Sequence, residues 1–543
     1  MNLPNWIFSL LMVCGSVSAL WADDELLPAD RPIAEVVDFY INSKLAEKQI
    51  QPAAPATDEV FLRRLTLDLA GRIPTRSELN AYRDSADPAK KTQTIERLLN
   101  APDFAYQQRN RLDELLLAEV KKDNTWREYL LKSVQSNKPW NQMFREMMIG
   151  DQDDPEVAPA LEFLKARVGE VDQMTNDTAR LFFGVSINCA QCHDHPLAVD
   201  WLQDHYFGFA SFFNRTYKTK SNKLAEKFDG SLKFRTTSDE EKTAAFMFLT
   251  SVSVEEPDVS LTDEQKKQRD KLVKASTQDE KAPLPEPEFS PRTKFVEVAL
   301  AEENRRFFSQ AIVNRMWASL FGTGIIDPPD QNHSGNTPSH PQLLRWLERD
   351  LETHNYDLKR LIGGIVASDA YARSSVWDGN EPPANMYFAV AQVRPLTPRQ
   401  YSISLLVGTH NSEQLPASVE DPKWSDLRKN WENAAEGFAG QLEQPTENFQ
   451  VSVDEALLFS NNERIERDYL RDSGDKLVGQ LKAIESPEAQ IATAFETTLS
   501  REPSADEVAA VQSYLAERTD RPLEGLKQLV WILITSPEMR FNY

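Results

Sequence analysis

Two distant segments of the chain share one pattern, which strongly constrains how both ends fold. Arg72–Leu79 and Arg501–Val508 each read Arg-x-Pro-Ser/Thr-x-x-Glu followed by an aliphatic residue. A serine or threonine with glutamate three residues later is a capping box that starts a helix. A second helical stretch and a proline-containing stop follow each copy, at Ala101–Phe104 and Ser536–Met539. The pattern therefore predicts a reused helix-turn-helix unit.

The composition predicts the same fold class. Glycine supplies only 19 of 543 residues, which is below its usual share of about 7 %, and this scarcity favours helix over sheet. We predict a mostly α fold of two multi-helical domains with helix-turn-helix repeats, at 30–215 and 292–543. Between them, 216–291 is predicted to be a small α+β insert. It holds the strand-like Phe246–Val254 and ends in a stiff proline-rich linker at Pro283–Pro287.

The amino terminus predicts export. Residues 1–22 are typical of a signal peptide, because the apolar stretch Trp6–Val13 is followed by the small residues of Gly15–Ala19. We therefore expect a periplasmic or extracellular protein of the cell envelope. No later run reaches 18 apolar residues, so no transmembrane span is expected in the mature chain. The formal net charge of −23 repels phosphate backbones and argues against a nucleic-acid partner.

A single pentapeptide holds both cysteines of the predicted mature chain. Cys189, Cys192 and His193 form C-x-x-C-H, the attachment signature of c-type haem, and the third cysteine, Cys14, lies in the predicted signal peptide. The two thiols would anchor haem c, and the imidazole would bind its iron. Export agrees with this interpretation, because c-type haem is attached outside the cytoplasm. In that oxidising compartment a C-x-x-C that nothing captures would close to a disulfide. We expect electron transfer or haem-linked oxidoreduction.

The sequence does not choose the sixth ligand of such a haem. Met174 and His205 are candidates, as are four further side chains: Met143, Met147, Met148 and His340. A methionine ligand would raise the reduction potential, whereas an open or water-filled position would permit ligand chemistry at the iron.

Other interpretations of the pentapeptide remain open. Thiolates and imidazoles also suit zinc or iron without porphyrin, and such a site could draw on the following set: Cys189, Cys192, His193, Asp194, His195, His205 and His340. A metal-binding envelope protein of this kind could be a hydrolase acting on surface polymers. A disulfide between Cys189 and Cys192 is the third interpretation. A non-catalytic envelope scaffold is a further functional alternative, so whether the chain is an enzyme stays open.

Several motifs together resemble a pair of planctomycete families, a cytochrome-type domain of unknown function followed by its usual C-terminal partner domain. The first domain is similar over Phe61–Pro74 and Ala179–Pro196 and ends at Tyr206–Phe209. The second is similar over Val313–Gly324, Pro338–Pro341 and a closing stretch from Leu499–Pro503 to Phe541–Tyr543. The resemblance implies a surface or periplasmic protein, often linked with cytochrome c modules. A redox partner or another envelope protein would be its partner.

The chain departs from the family pattern at two places. Asp330-Gln331-Asn332 stands where the family usually has an Asp-Asp-Phe-like stretch, and Leu112–Asp123 lacks the usual His-Trp and Arg-Tyr pattern. If these segments line the family's active pocket, the resemblance implies that the activity of this member is altered or lost.

Overall fold

The computed structural model describes residues 26–118, 120–195, 198–445 and 452–543. The predicted signal peptide and Cys14 lie outside the described residues. Within the described part, helices dominate and strands occur as two-stranded pairs, which confirms the mostly α fold with a small α+β insert. No described helix combines the length and the apolarity needed to cross a bilayer.

The helices fall into two runs separated by the insert. The helices up to the end of the insert are α1 Ile33–Lys48, α2 Asp58–Ala70, α3 Arg76–Arg83, α4 Lys90–Asn100, α5 Pro102–Leu116, α6 Asn124–Gln135, α7 Trp140–Ile149, α8 Glu162–Lys165, α9 Val171–Phe183, α10 Gln203–Ser211 and α11 Asp263–Gln278. Those after it are α12 Pro291–Ala299, α13 Arg306–Phe321, α14 Pro341–Thr353, α15 Leu358–Val366, α16 Pro398–Gly408, α17 Pro422–Ala439, α18 Val453–Asn461, α19 Glu463–Asp468, α20 Leu477–Ala483, α21 Pro487–Leu499, α22 Ala505–Ala516, α23 Pro522–Ile534 and α24 Pro537–Arg540.

The strands are short, and each pairs with one antiparallel neighbour. They are β1 Thr216–Lys218, β2 Leu224–Glu226, β3 Lys233–Arg235, β4 Glu241–Thr243, β5 Phe246–Met247, β6 Ser253–Val254, β7 Arg394–Pro395 and β8 Phe541–Asn542. The predicted strand at 246–254 is a hairpin rather than one strand. Ser251 has a φ of 64°, and this left-handed residue reverses the chain between β5 and β6.

The first copy of the Arg-x-Pro pattern forms a buried network of ion pairs around Arg72. Thr75 and Glu78 form the predicted capping box at the start of α3. The Arg72 guanidinium donates to both Glu78 oxygens at 2.7 and 3.1 Å, and its Nε donates to Asp103 at 2.9 Å. The same side chain bonds the carbonyl of Ile73 at 3.0 Å. One arginine thus joins the starts of α3 and α5.

The second copy repeats this arrangement around Arg501. Ser504 and Glu507 cap α22, and Arg501 donates to both Glu507 oxygens at 2.8 Å. Its Nε donates to Glu538, at the start of α24, at 2.6 Å, and its Nη1 bonds the carbonyl of Glu502 at 3.0 Å. The equivalent atoms carry equivalent bonds in both copies, so the predicted helix-turn-helix repeat is present at both ends of the chain.

Two hydrophobic cores divide the described chain after residue 389. The first core runs from Ile33 to Ala389 and includes side chains of α1, α9 and α13. The second runs from Leu396 to Met539 and also takes in Leu67, Ile73 and Ala101. The proline-rich segment 283–287 does not separate the cores, because α12–α15 bury their apolar faces against the amino-terminal helices.

Candidate functional site

The chain reaches the cysteine pentapeptide through a junction between its two halves. Helix α9 ends at Gly184, whose φ is 67° and where a Cβ would stand 3.1 Å from the carbonyl oxygen of Pro329. Only glycine adopts this conformation and allows this approach at low cost. Val185 then pairs with Gln331 in an antiparallel bridge, flanked by backbone bonds of 3.0 Å from Asn332 to Gly184 and from Ser186 to Asp330.

The pentapeptide itself begins in a short 3₁₀ turn. Asn188–Gln191 forms the turn, and the amides of Cys192 and His193 both lie 3.4 Å from the carbonyl of Cys189. Cys189 is half-buried, Cys192 is exposed, and both are free thiols. The turn therefore presents the two sulfur atoms without a disulfide.

A carboxylate on α9 holds this turn in place through hydrogen bonds. Asp172 accepts one bond from the Gln191 side chain at 2.8 Å and another from the Tyr206 hydroxyl at 2.7 Å. Burial, reinforced by the bond to Asp172, raises the pKa of Tyr206, which keeps its hydroxyl protonated as a donor. The turn is consequently tied to both α9 and α10.

His193 presents an accepting nitrogen. The side chain is exposed, and its Nδ1 lies 2.8 Å from the carbonyl oxygen of Asp194. A carbonyl oxygen only accepts, so Nδ1 carries the proton and the lone pair of the neutral ring stays on Nε2. This is the tautomer that a metal-ligating histidine uses when its other nitrogen bonds a backbone carbonyl. The donor set of two free thiols and this imidazole fits the attachment of haem.

Asp194 and His205, two of the predicted metal ligands, instead accept hydrogen bonds from backbone amides at the start of α10. Asp194 accepts the backbone N–H of Gln203 at 3.1 Å. His205 Nδ1 accepts the backbone N–H of Leu202 at 3.2 Å, and its Nε2 lies 2.8 Å from the Ser251 hydroxyl. Burial lowers the pKa of His205 and favours the neutral ring. These side chains cap a helix, which leaves no lone pair on His205 for a metal.

His195 lies between the pentapeptide and the next part of the site. Its Nδ1 accepts the backbone N–H of Ala198 at 2.9 Å, and its ring centroid lies 6.4 Å from that of His333. Burial lowers the pKa of His195, and the positive charges that His333 and His193 can carry lower it further. His195 and His333 thus bring together side chains from the two halves of the chain.

The remaining sequence candidates lie in the packed interior. Met174 is fully buried, as are Met143, Met147 and Met148. His340 precedes α14 and packs against Phe388 at 5.3 Å, and burial lowers its pKa to about 4. Among the residues that the structure describes, no three histidine, cysteine, aspartate or glutamate side chains meet as a metal-binding group.

A cleft of about 480 Å³ opens beside the pentapeptide. Three parts of the chain form its walls: the segment after the pentapeptide, the β5–β6 hairpin and the segment from α13 to α14. Its lining residues are Asp200, Trp201, His205, Leu249, Thr250, Ser251, Arg306, Phe307, Gln310, Asn332, His333, Ser334, Asn336, Thr337 and Pro338. Sequence reasoning missed most of them, although Asn332 belongs to a segment that departs from the family pattern.

The other departing segment lines a second cleft, of about 540 Å³, between α5 and α17. Asp113 and Glu114 line it, and desolvation raises the pKa of both carboxyls, that of Glu114 to about 7. Arg127 spans the cleft, because it pairs with Asp113 at 3.3 Å and with Glu436 at 2.6 Å. Both departures from the family pattern thus fall at cavities.

Comparison with known proteins gives two family matches. The family model PSCyt2, described as a protein of unknown function (DUF1549), matches residues 36–218. The family model PSD1, described as a protein of unknown function (DUF1553), matches residues 291–444. No curated protein and no solved structure matches the chain. The first match contains the pentapeptide. The second contains Gln331, which pairs with Val185, and His333, which lies near His195.

Proposed function

The chain carries a PSCyt2 domain followed by a PSD1 domain, and we propose that it is an exported c-type haem-binding protein of the cell envelope. Its role would be electron transfer or haem-linked oxidoreduction. The observation that supports this most directly is the state of the pentapeptide. Two free thiols and an imidazole with an accepting Nε2 lie together on one exposed turn.

Each residue of the pentapeptide has a role in this proposal. Cys189 and Cys192 would hold haem through thioether bonds, and His193 would bind its iron. Haem supplies a one-electron redox centre when bound. The protein contributes the orientation of the ligand, because the bond from Nδ1 to the Asp194 carbonyl holds the imidazole ring.

Two side chains considered as a second protein ligand for a bound haem are engaged elsewhere. Met174 is fully buried in the first core. His205 uses Nδ1 for the Leu202 amide and Nε2 for the Ser251 hydroxyl. Recruiting either side chain would cost core packing or a helix cap. The proposal therefore favours haem-linked oxidoreduction of an external molecule over electron transfer alone.

The test is production of the protein in cells that carry haem-maturation machinery. We expect a covalent increase in the intact mass, a Soret band, and binding of carbon monoxide to the reduced protein. Cys189→Ser combined with Cys192→Ser should remove the covalent mass and leave the fold intact, because neither thiol belongs to a core.

An unmodified mass under those conditions would overturn the proposal. Metal analysis of the same preparation then separates the alternatives. Zinc or iron that is present without porphyrin and is lost in Cys192→Ser would support a non-haem metal protein. A protein that holds neither metal nor haem would support the scaffold.

A further inference from the structure

The cleft beside the pentapeptide has a lining whose chemistry the haem proposal does not use. Its volume of about 480 Å³ falls within the range of about 300–1,000 Å³ that is usual for small-molecule sites. The walls come from the PSCyt2 domain, the insert and the PSD1 domain, so the cleft exists only when all three are folded together. Sites between packed units are common places for ligands.

One side of the cleft is aromatic. Phe307 is partly buried, and its ring centroid lies 5.9 Å from that of Trp201. Trp201 also packs edge-on against His205 at 6.0 Å. This packing holds the Phe307 ring in place, and a ring held at a cavity wall offers an apolar face to a ligand at low entropic cost.

Other lining residues carry amides and hydroxyls. Asn332 donates to the Gln310 side-chain oxygen at 2.9 Å, which orients both amides toward each other. Each amide keeps further capacity, because a carboxamide has two N–H donors and an oxygen with two lone pairs. Thr337, which is exposed, and Thr250 add hydroxyls. Groups that both donate and accept are suited to hydroxyl groups of a ligand, which do the same.

Few charged side chains line the cleft. Asp200 accepts the backbone N–H of Ser334 at 2.6 Å. Arg306 is the one arginine or lysine among the lining residues, and its side chain is largely exposed. A phosphate or a polyanion would require several cations, so this lining favours an uncharged ligand.

We propose that this cleft binds a neutral saccharide, with one face of a sugar ring against Phe307 and its hydroxyls bonded to Gln310, Asn332 and Thr337. An apolar ring face with hydroxyls around its edge matches an aromatic ring that lies near a group of amides and hydroxyls. The site is independent of the occupant of the pentapeptide, because neither cysteine nor His193 lines the cleft.

The test uses the full mature chain with cellohexaose, xylohexaose and mannohexaose in separate calorimetric titrations. At least one oligosaccharide should bind the wild type. Phe307→Ala should weaken that binding at least tenfold, and Thr337→Val should weaken it severalfold. Phe39→Ala is the matched control, because it removes an exposed aromatic ring on α1 and should leave the affinity unchanged.

Three outcomes would overturn the saccharide site. They are no binding of any of the three oligosaccharides, equal binding by Thr337→Val and the wild type, and tighter binding of heparin than of every neutral sugar. Thermal unfolding of Phe307→Ala reports whether that variant is folded, and Thr337→Val decides the matter if it is not. The haem content of each sample is measured separately, so failure of one proposal is distinguishable from failure of the other.

Discussion

Val185 pairs with Gln331 in an antiparallel bridge that joins the PSCyt2 domain to the PSD1 domain four residues before the first cysteine of the pentapeptide. The bridge belongs to the segment 330–332, one of the two departures from the family pattern. The side chains of this segment hold it against α13, since Asp330 pairs with Arg315 and Asn332 bonds Gln310. The position of the pentapeptide therefore depends on both domains.

Removing the charge of Asp330 should loosen this junction. Asp330→Asn leaves the largely buried Arg315 without its carboxylate partner, and we expect a loss of about 1–3 kcal/mol in the free energy of unfolding. Urea denaturation measures the change. The control is Glu156→Gln, which breaks the exposed pair with Lys132 and should cost less than about 1 kcal/mol. Equal losses in the two variants would contradict a structural role for Asp330.

His193 and His205 should respond differently to alanine. His205→Ala removes the side chain that bonds the Leu202 amide, and loss of such a cap costs about 0.5–2 kcal/mol. His193→Ala is at an exposed position and should change stability by less than about 0.5 kcal/mol. In haem-loaded protein, His193→Ala should shift the Soret band, whereas His205→Ala should not. Chemical denaturation and absorption spectra of both variants check these expectations. A Soret shift in His205→Ala would identify it as a ligand.

Arg72 and Arg501, the two arginines of the repeat, should contribute differently to the free energy of unfolding. Arg72 is fully buried with Glu78 and Asp103, whereas the Arg501 side chain is 31 % exposed. Arg72→Met removes the cation that buried Glu78 and Asp103 share, although Asp103 keeps Arg428 at 3.2 Å, and should cost about 3–5 kcal/mol. Arg501→Met should cost about 1 kcal/mol or less. Equilibrium unfolding of both variants gives the comparison, and a larger loss in Arg501→Met would refute it.

Glu348 should make stability depend on pH. Its Oε1 has no hydrogen-bond partner among the described residues, and burial raises its pKa from 4.5 to about 8. Above pH 4.5 the unfolded chain releases this proton and the folded protein keeps it. Stability should therefore fall between pH 4.5 and 8, with a slope approaching about 1.4 kcal/mol per pH unit. Glu348→Gln should flatten the unfolding profile across this range and exceed the wild type in stability at pH 8. If the free energy of unfolding varies with pH in the same way in the wild type and in Glu348→Gln, the raised pKa does not belong to Glu348.

Much of the helical structure could be predicted because its signals are local. The capping boxes at Thr75 and Ser504 each depend on side chains within three residues of one another, and both are present. The reversal at Ser251 was harder to predict, because strand propensity does not report where a chain turns. The boundary between the two hydrophobic cores was also difficult to predict from the sequence. Whether a proline-rich segment separates two units depends on the helices that pack across it.

The sequence by itself determined the helical fold, the repeat at its two ends and the set of donor atoms in the pentapeptide, since these depend on residues that are neighbours along the chain. Tertiary structure alone decided the roles of Asp194 and His205. Both have side chains suited to bind metal, yet they bond backbone amides that the start of α10 leaves without partners. It also decided which residues share the cleft, because Trp201 and His333 meet only when the PSCyt2 and PSD1 domains pack together.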